Sequence, residues 1–419
     1  MNPAIIFLAL VILIVLGAPV FLVIGAAALI AFRSVGIDSS AIIAELYRLA
    51  SLPALIAIPL FTFSGYVLAE SNSPKRILNL AESLFGWIPG GLAIVTLTSC
   101  AVFTAFTGAS GVTIIALGGI IYPMLLKQNY DEKFSLGLLT TTGSLGLLFP
   151  PSLPIILYGL IAKVNIDKLF LAALLPGVFL IVVLSVYSLI RNRKKIAAEK
   201  FSFARLISAG REAIWEIPLP FLIIGGIYGG LFTATEAAAV MAFYVVIVEV
   251  FIYKDLNIRK DLPDAMVKSM TLVGAILMVM GLALGFTNYL IDQEIPAKAF
   301  EWVHVYIGSK TMFLVVLNLF LLVMNMIEMF SAIIIVVPLI VPVAMKYGIE
   351  PVHLGIIFLL NLEIGYMTAP FGLNLFLSSL RFEKPITEVY KAVIPFWLIL
   401  IGTLALITYV PQISLIMGR

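Results

Sequence analysis

The chain has 419 residues, of which 62% are hydrophobic and only 12% are charged, and its mean hydropathy is +1.13. This composition excludes a soluble globular protein and indicates a polytopic helical membrane protein. The net charge of +3 does not distinguish between classes of membrane protein. The single cysteine, Cys100, excludes an internal disulfide. Residues 2–32 carry no charged side chain and lack the basic start of a cleaved signal peptide. We therefore predict that they form a retained first membrane segment.

Fourteen apolar stretches follow one another along the chain. A helix needs about 20 apolar residues to cross the hydrocarbon core, and several stretches are shorter and occur in pairs. We therefore predict tilted short crossings or hairpins that enter the membrane and return. The stretches are 3–16, 19–32, 53–70, 89–106, 111–126, 134–162, 169–190, 217–232, 234–253, 269–291, 311–327, 330–345, 352–380 and 393–416.

Two regions interrupt an apolar run with Gly, Ser, Thr and Pro, where a membrane helix is expected to be smooth. The first contains Thr-Gly-Ala-Ser-Gly at 107–111 and a Gly- and Pro-rich break at 143–152. The second contains Asn-Met-Ile-Glu at 325–328 and a similar break at 365–372. Because unpaired backbone is not tolerated in lipid, such breaks have to be buried or line a polar cavity. Paired breaks indicate the substrate and ion site of a secondary transporter.

The two halves of the sequence align at a shift of about 219 residues. We predict five crossings and one re-entrant hairpin in each half, the hairpins being 89–126 and 311–345. An odd number of crossings inverts the second half, so the expected fold is all-α with an inverted repeat, two re-entrant hairpins and two broken helices. The aligned pairs are Pro123 with Pro342, Gly146 with Gly365 and Pro151 with Pro370.

The distribution of Lys and Arg predicts the orientation. Segment 191–211 holds seven basic residues, so loop 191–216 is predicted to be cytoplasmic. If 3–16 and 19–32 cross separately, the loops predicted on that side hold 18 of the 26 Lys and Arg. A single kinked helix over 3–32 would place the basic segment 254–268 outside and is disfavoured. Segments 39–50 and 254–268 are predicted to be amphipathic arms along the interface.

Oxygen atoms at the breaks suggest a cation site. The turn at 107–111 leaves carbonyls unpaired beside the hydroxyls of Thr107 and Ser110, and hard cations prefer oxygen ligands. Freed carbonyls near Gly146 and Phe149 can face the same point. The alternatives are a small-residue packing contact at the turn and a simple kink at the break.

Few other residues suggest chemistry. Glu328 and Glu363 are carboxylates inside apolar segments and are functional candidates by default, although Glu328 could equally be a neutral acid bonded to backbone. Thr235 and Glu236 are interpreted as a helix N-terminal cap. His304 and His353 are predicted to lie at the surface. The sequence shows no metal-ligand cluster, no phosphate-binding loop and no basic patch for nucleic acid.

The chain resembles the large membrane subunit of the tripartite ATP-independent periplasmic (TRAP) transporters over essentially its whole length. The stretches that carry the resemblance are 105–113, 143–154, 235–239, 351–357 and 372–376. The resemblance implies a sodium-coupled, elevator-type importer of carboxylate-containing solutes in the bacterial inner membrane, with no cofactor besides the coupling ion. It also implies two protein partners, a small four-helix membrane subunit and a periplasmic substrate-binding protein.

The resemblance also implies the sites. The first sodium site would lie between the first hairpin tip and the break after it, and the second would be its pseudo-symmetric counterpart. The first site comprises Thr107, Ala109, Gly146, Phe149 and Pro151; the second comprises Met326, Glu328, Gly365, Thr368 and Pro370. The anionic substrate is expected between Ser110, Ser152 and Asn374. The sequence departs from its relatives at the first tip, where many carry a Ser-rich stretch followed by an acid.

We expect each half of the chain to contribute both to a fixed scaffold and to a moving transport domain. Scaffold and arm segments alternate with the two halves of a moving transport domain, which carry the hairpins. The expected segments are 1–52 (scaffold and arm), 53–163 (transport half), 164–216 (scaffold span and basic loop), 217–268 (scaffold and arm), 269–384 (transport half) and 385–419 (C-terminal span).

Two other classes of protein remain as alternatives. An intramembrane serine protease could use Ser110 in Gly-Ala-Ser-Gly, but it needs a base within hydrogen-bond reach, and the second hairpin has no place in it. A channel could use two opposed hairpins, and a stand-alone sodium and anion carrier would need no partners. The broken helices favour alternating access and a transporter that is not an enzyme.

Overall fold

The computed structural model describes residues 12, 13, 18, 20–36, 38, 40–192, 201–324 and 329–417. These residues form helices joined by turns, and no strand occurs among them. Six of the described helices are long and apolar enough to cross a membrane, or up to eight if each of two bent pairs is one span. The predicted all-α polytopic membrane fold is therefore confirmed, while most of the predicted stretch 3–16 lies outside the described residues.

The helices of the first half follow the apolar stretches closely. A 3-10 turn at Pro53–Ile56 precedes the third helix, and another at Leu145–Leu148 lies inside the first break. The helices are α1 (Val20–Ser34), α2 (Ser40–Ala50), α3 (Ala57–Glu70), α4 (Ser73–Phe85), α5 (Gly91–Thr107), α6 (Ser110–Lys127), α7 (Glu132–Thr142), α8 (Leu153–Ala162) and α9 (Ile166–Asn192).

The second half begins after the basic loop. Its third helix continues as a π-helix over Ile247–Ile252. The helices are α10 (Phe203–Glu212), α11 (Pro218–Tyr228), α12 (Ala234–Val246), α13 (Asp261–Asp292), α14 (Ile295–Tyr306), α15 (Lys310–Met324), α16 (Met329–Lys346), α17 (Pro351–Gly365), α18 (Leu373–Arg381), α19 (Ile386–Tyr409) and α20 (Gln412–Leu415).

The order of helices repeats at the predicted shift. Helices α6 and α16 both have 18 residues and begin 219 positions apart, at Ser110 and Met329. Helices α7 and α17 also begin 219 positions apart, at Glu132 and Pro351. The two predicted hairpins are thus α5–α6 and α15–α16, and the second tip, 325–328, lies outside the described residues. The inversion of one half relative to the membrane stays a prediction.

The second predicted arm is wrong as a separate element. Residues 40–50 form the separate helix α2, but residues 261–268 are the first two turns of the 32-residue helix α13. The sequence explains the difference, since Pro53 follows α2, whereas no proline occurs between Pro263 and Pro296. Without a residue that removes a backbone donor, the second arm and the span after it form one continuous helix.

Aromatic packing joins the two halves. Phe134 of α7, Tyr187 of α9 and Phe396 of α19 have ring centroids 5.3–6.3 Å apart. Gly137 lets α19 approach α7 closely, because an added Cβ there would lie against the carbonyl oxygen of Ala392. Apolar contacts of this kind dominate the interior.

His353 is buried, so its predicted surface position is wrong. Its Nδ1 lies 2.6 Å from the hydroxyl of Ser414, and its Nε2 lies 3.2 Å from the carbonyl oxygen of Thr408. Both ring nitrogens thus have partners near the C-terminal end of the chain, which satisfies a polar ring in an apolar interior. His304, in contrast, is exposed as predicted.

One buried arginine connects the first half to the second. Arg76 of α4 donates to Glu216, to Asp255 at 2.6 Å and to Glu249 at 2.8 and 3.0 Å. Its guanidinium carbon also lies 3.8 Å from the centroid of the Tyr253 ring. Three carboxylates therefore depend on a single cation, and Glu249 reaches it from the π-helix.

The acidic groups of this cluster respond differently to their surroundings. Burial raises the pKa of Glu216, although the charge of Arg76 opposes the shift. Burial also disfavours ionisation of Asp255, but hydrogen bonds from Asn72 and Arg76 outweigh it and hold the pKa of Asp255 below its usual value. Asp255 therefore stays ionised and accepts from both the backbone and the side chain of Asn72.

We expect Arg76→Met to lower the free energy of unfolding by about 3–5 kcal/mol, because it leaves buried carboxylates without their cation. The measurement is unfolding of the purified protein in detergent, followed by tryptophan fluorescence. Arg205→Met is the matched control, since Arg205 pairs with Glu82 at 2.8 Å with its side chain 49% exposed and should cost less than about 1 kcal/mol. Equal losses in the two variants would contradict the assignment.

Candidate functional site

The tip of the first hairpin is a sharp turn between two helix ends. Helix α5 ends at Thr107, Gly108 adopts a left-handed conformation with φ +65°, and Ala109 is extended before α6 begins at Ser110. A left-handed position favours glycine, which has no Cβ. The turn places the carbonyl end of α5 beside the amide end of α6. These ends carry partial negative and positive charge, respectively.

Hydroxyl groups hold this tip to the first break. Thr104 donates to the carbonyl oxygen of Gly143 at 3.0 Å, and its oxygen lies 2.6 Å from the hydroxyl of Thr113 on the other helix of the hairpin. The hydroxyl of Thr107 is buried and has no hydrogen-bond partner among the described residues. Buried polar groups normally have a partner, so this hydroxyl is a candidate ligand for an ion.

The first break lies directly against the hairpin. The segment Glu132–Leu148, which comprises α7 and the 3-10 turn, is bent by 45° from α8 at residues 149–152. An added Cβ at Gly146 would lie about 2.5 Å from the amide nitrogen of Ala105, and an added Cβ at Gly108 would lie 2.8 Å from Leu153. The peptide bond between Pro150 and Pro151 is cis. The structure therefore brings the tip into contact with both sides of the break.

A further helix closes the tip from the other side. An added Cβ at Gly65 of α3 would lie 2.6 Å from the Cα of Thr107. The tip is thus held between α3 and α8, and its backbone is removed from lipid as the composition of the break predicts. The predicted first-site residues occupy one connected region of the structure, and their assignment as sodium ligands stays a prediction.

The second break repeats the first in order but differs in environment. Helix α17 ends at Gly365, the bond between Ala369 and Pro370 is cis, and α18 begins at Leu373. Residues 369–371 are exposed, whereas the corresponding residues 150–152 are buried.

Helix α19 holds this second break in place. The indole of Trp397 donates to the hydroxyl of Thr368 at 2.9 Å, and Tyr390 donates to the carbonyl oxygen of Pro370 at 2.9 Å. Of the predicted second site, Gly365, Thr368 and Pro370 therefore lie together. Met326 and Glu328 lie outside the described residues.

Asn374 links the two breaks. Its side-chain amide donates to the carbonyl oxygen of Thr140 at 3.1 Å and to the hydroxyl of Ser144 at 3.3 Å. Helix α18 of the second half is therefore joined to α7 of the first. Glu363 is fully buried, and neither of its carboxylate oxygens has a hydrogen-bond partner among the described residues.

A cavity of about 530 Å³ opens beside the two hairpins, a size typical of small-molecule sites. The first residues of three helices line it, and these helices are α6, α16 and α18. The remaining walls come from α3 and α13. The lining residues are Tyr66, Gly108, Ala109, Ser110, Gly111, Val112, Ile115, Leu272, Ala275, Ile276, Val279, Met329, Phe330, Tyr366 and Leu373.

The three predicted substrate residues separate in the structure. Ser110 lines the cavity. Ser152 is fully buried and donates to the carbonyl oxygen of Leu147, and Asn374 is fully buried between the breaks. Neither Ser152 nor Asn374 is among the residues that line the cavity. Sequence reasoning missed Tyr66 and one face of α13. The helical spacing of apolar residues at positions 272, 275, 276 and 279 predicts a helix face. The sequence alone does not show which part of the protein that face lines.

A second cavity of about 790 Å³ lies where the ends of α2, α8 and α12 meet. Glu236 takes part in the helix cap here as predicted, but the N-cap residue is Thr233 and not Thr235. Its hydroxyl accepts from the amide of Glu236, and the carboxylate of Glu236 accepts from the amide of Thr233. This reciprocal pair satisfies two backbone donors of α12.

Comparison with known proteins agrees with this geometry. Residues 7–413 match the family described as "Tripartite ATP-independent periplasmic transporter, DctM component". The chain belongs to this family. It is 35% identical over 394 residues to the C4-dicarboxylate TRAP transporter large permease protein DctM of Pseudomonas aeruginosa, covering 93% of this chain and 92% of that one.

Two other relatives are named for different solutes. The isethionate TRAP transporter permease protein DctMQ of Oleidesulfovibrio alaskensis is 33% identical, and the match covers 96% of this chain and 64% of that protein. The ectoine TRAP transporter large permease protein TeaC of Halomonas elongata is 32% identical over 96% of both chains. The protein is thus a multi-pass transporter permease and not an enzyme.

The solved structures support the fold alone. The YdaH transporter of Alcanivorax borkumensis superposes with a TM-score of 0.61 at 13% identity, covering 88% of this chain and 86% of that one. Family membership removes the protease alternative. In addition, Ser414 and Thr408 already occupy both ring nitrogens of His353, one of the two histidines in the chain.

We expect Gly146→Ala to lower the free energy of unfolding by about 1–3 kcal/mol, because its methyl group would overlap the backbone of α5. Thermal unfolding in detergent measures the effect. Gly402→Ala in α19 is the matched control. Nothing lies within 4 Å of the added carbon there, and the change should be neutral or stabilise by up to about 1 kcal/mol. If Gly146→Ala behaves like its control, the close contact between break and hairpin is wrong.

Proposed function

We propose that this chain is the large permease subunit of a sodium-coupled transporter that imports a carboxylate-containing organic solute delivered by a periplasmic binding protein. Family membership supports binding-protein-dependent secondary transport of organic acids. The observation that carries the sodium coupling is the hairpin tip at Thr107. There, a buried hydroxyl without a partner lies beside the carbonyl end of α5 and against a broken helix.

Sodium fits the donor set at the first site. Thr107 offers a hydroxyl oxygen, and Ala109, Gly146, Phe149 and Pro151 offer backbone carbonyls, which are the neutral oxygens that a hard monovalent cation accepts. The partial negative charge at the C-terminal end of α5 adds to the attraction. When bound, the ion would hold the tip and the break together, so its occupancy would be linked to the shape of the adjacent cavity.

A second ion would use the equivalent region of the other half. The hydroxyl of Thr368 donates to the carbonyl oxygen of Ile364 at 2.7 Å and accepts from Trp397, which leaves one lone pair for a cation. The carbonyl of Pro370 accepts from Tyr390 and likewise retains a lone pair. With Gly365 these oxygens form half of a site, and the tip with Met326 and Glu328 would supply the rest.

The solute would bind in the cavity of about 530 Å³ between the hairpins. Helices α6 and α18 begin at its wall, and their N-terminal ends attract negative charge. Ser110, at the first of these ends, adds a hydroxyl donor. Since the tip residues Gly108 and Ala109 line the cavity and lie next to Thr107, sodium binding and solute binding would share the same backbone. Coupling between them would then be reciprocal.

Transport in this proposal uses alternating access of the elevator type. The hairpins and broken helices would move as one unit, since Asn374 joins α18 to α7 and Thr104 joins α5 to the first break. The partners would be a small membrane subunit and a periplasmic binding protein in the bacterial inner membrane, as the tripartite family description suggests. The loop 191–216 would face the cytoplasm.

Uptake of labelled organic acids into proteoliposomes tests the proposal. The chain would be reconstituted with its small membrane subunit and binding protein, with and without an inward sodium gradient. We expect saturable uptake only when sodium and the binding protein are both present. Uptake without sodium would overturn the coupling, and uptake without the binding protein would favour a stand-alone carrier or a channel.

The sodium site has its own test. We expect Thr107→Val to raise the sodium concentration for half-maximal uptake about tenfold or more, because an oxygen contact to a charged group is worth about 1.5–3 kcal/mol. Thr403→Val is the control, since the hydroxyl of Thr403 donates to the carbonyl oxygen of Ile399 in its own helix. An unchanged sodium dependence in Thr107→Val would remove this residue from the site.

A further inference from the structure

The cavity between the hairpins has an uneven distribution of polar groups. All its described polar side chains are hydroxyls, from Ser110, Tyr66 and Tyr366, and none of the described lining residues carries a charge. Attraction for an anion among the described lining residues therefore comes from the N-terminal ends of α6 and α18 and from the buried hydroxyl of Ser110, and not from a basic side chain.

Most of the cavity's lining is apolar. Leu272, Ala275, Ile276 and Val279 form one face of α13 at helical spacing. From the hairpins, Val112 and Ile115 of α6 and Phe330 of α16 complete this surface. Because no charged side chain among the described residues reaches it, a carboxylate placed here would lose its water without gaining a partner.

We infer that the solute carries a single anionic group, held at the helix ends beside Ser110, and an aliphatic or aromatic body that packs against the α13 wall. A solute with a second carboxylate at its far end would place that charge against Leu272 and Ile276. The cost of burying an unpaired charge makes the cavity select monocarboxylates over dicarboxylates of the same length. This inference rests on the proposed function, because it identifies the cavity as the transport site.

Cysteine protection tests the inference directly on the membrane complex. Cys100 is only 1% exposed, so Val112→Cys would introduce an accessible thiol at the cavity wall. The full chain with its small membrane subunit would be labelled with a maleimide in the presence of sodium. The competing probes are 4-methyl-2-oxopentanoate and 2-oxoglutarate, which share a 2-oxo acid end. At the other end, the first carries an isopropyl group and the second carries a second carboxylate. Both stay ionised, so neither crosses the bilayer by itself.

We expect 4-methyl-2-oxopentanoate to protect the thiol at a concentration at least about tenfold lower than 2-oxoglutarate, which is the discrimination an apolar pocket gives for a small change in the ligand. The unmodified chain, labelled in parallel, should show no reaction. Equal protection, a preference for 2-oxoglutarate, or no protection by either acid would each overturn the inference.

A charge placed on the wall gives a second test. We expect Leu272→Arg to reverse the order of the two acids, because it supplies a partner for the second carboxylate. Val267→Arg is the charge-matched control. It lies on the same helix outside the cavity and is 66% exposed, and it should leave the order unchanged. If Leu272→Arg fails to fold, the protection of the Val112→Cys thiol by the two acids still tests the inference by itself.

The proposed function and the inferred solute class can be contradicted independently. If reconstituted transporters show no sodium-dependent uptake of any organic acid, the proposed function is wrong. If sodium-dependent uptake is present but the cavity prefers the dicarboxylate, the function stands and only the solute class is wrong.

Discussion

Every backbone amide and carbonyl inside a bilayer needs a partner, and this requirement governs the middle of the molecule. Two helices break there and free several polar groups. In the first half, Thr104 donates to the carbonyl of Gly143, and Ser152 donates to that of Leu147. In the second half, α19 supplies Tyr390 for the carbonyl of Pro370. Thr107, where the first hairpin tip meets the break, keeps a buried hydroxyl without a hydrogen-bond partner among the described residues. The same geometry thus shields the freed backbone from lipid and keeps the Thr107 hydroxyl buried beside it.

The sequence predicted the hairpins and breaks well because their causes are local. The left-handed turn at Gly108 follows from a local preference of glycine, so the predicted hairpin 89–126 appears as α5 and α6 over 91–127. The second arm was predicted wrongly as a separate element, because no residue that ends a helix separates it from the span that follows in α13. The position of His353 also escaped prediction, since its burial depends on the end of the chain folding back over α17.

The cavity was harder to predict than the breaks because its walls come from distant parts of the sequence. Tyr66 and the apolar face of α13 lie about 200 residues apart, and each reads as an ordinary membrane helix by itself. Only packing shows that both face the first residues of α6 and α16. The two breaks occupy equivalent positions in the two halves but differ in solvent exposure. Residues 150–152 are buried, whereas 369–371 are exposed. The repeated order of helices therefore does not make the two breaks equally accessible.

The arginine cluster has a mechanical consequence for the hairpin. Arg76 holds α4 to residues 216, 249 and 255 of the other half, so α4 follows that half in any motion that leaves the cluster intact. The first hairpin begins at Gly91, only six residues after α4 ends at Phe85. The linker between them, residues 86–90, contains Gly86 and Gly90, and Gly90 has φ +80°. Because α5 also packs along α4, the cluster ties the base of the first hairpin to the other half of the molecule.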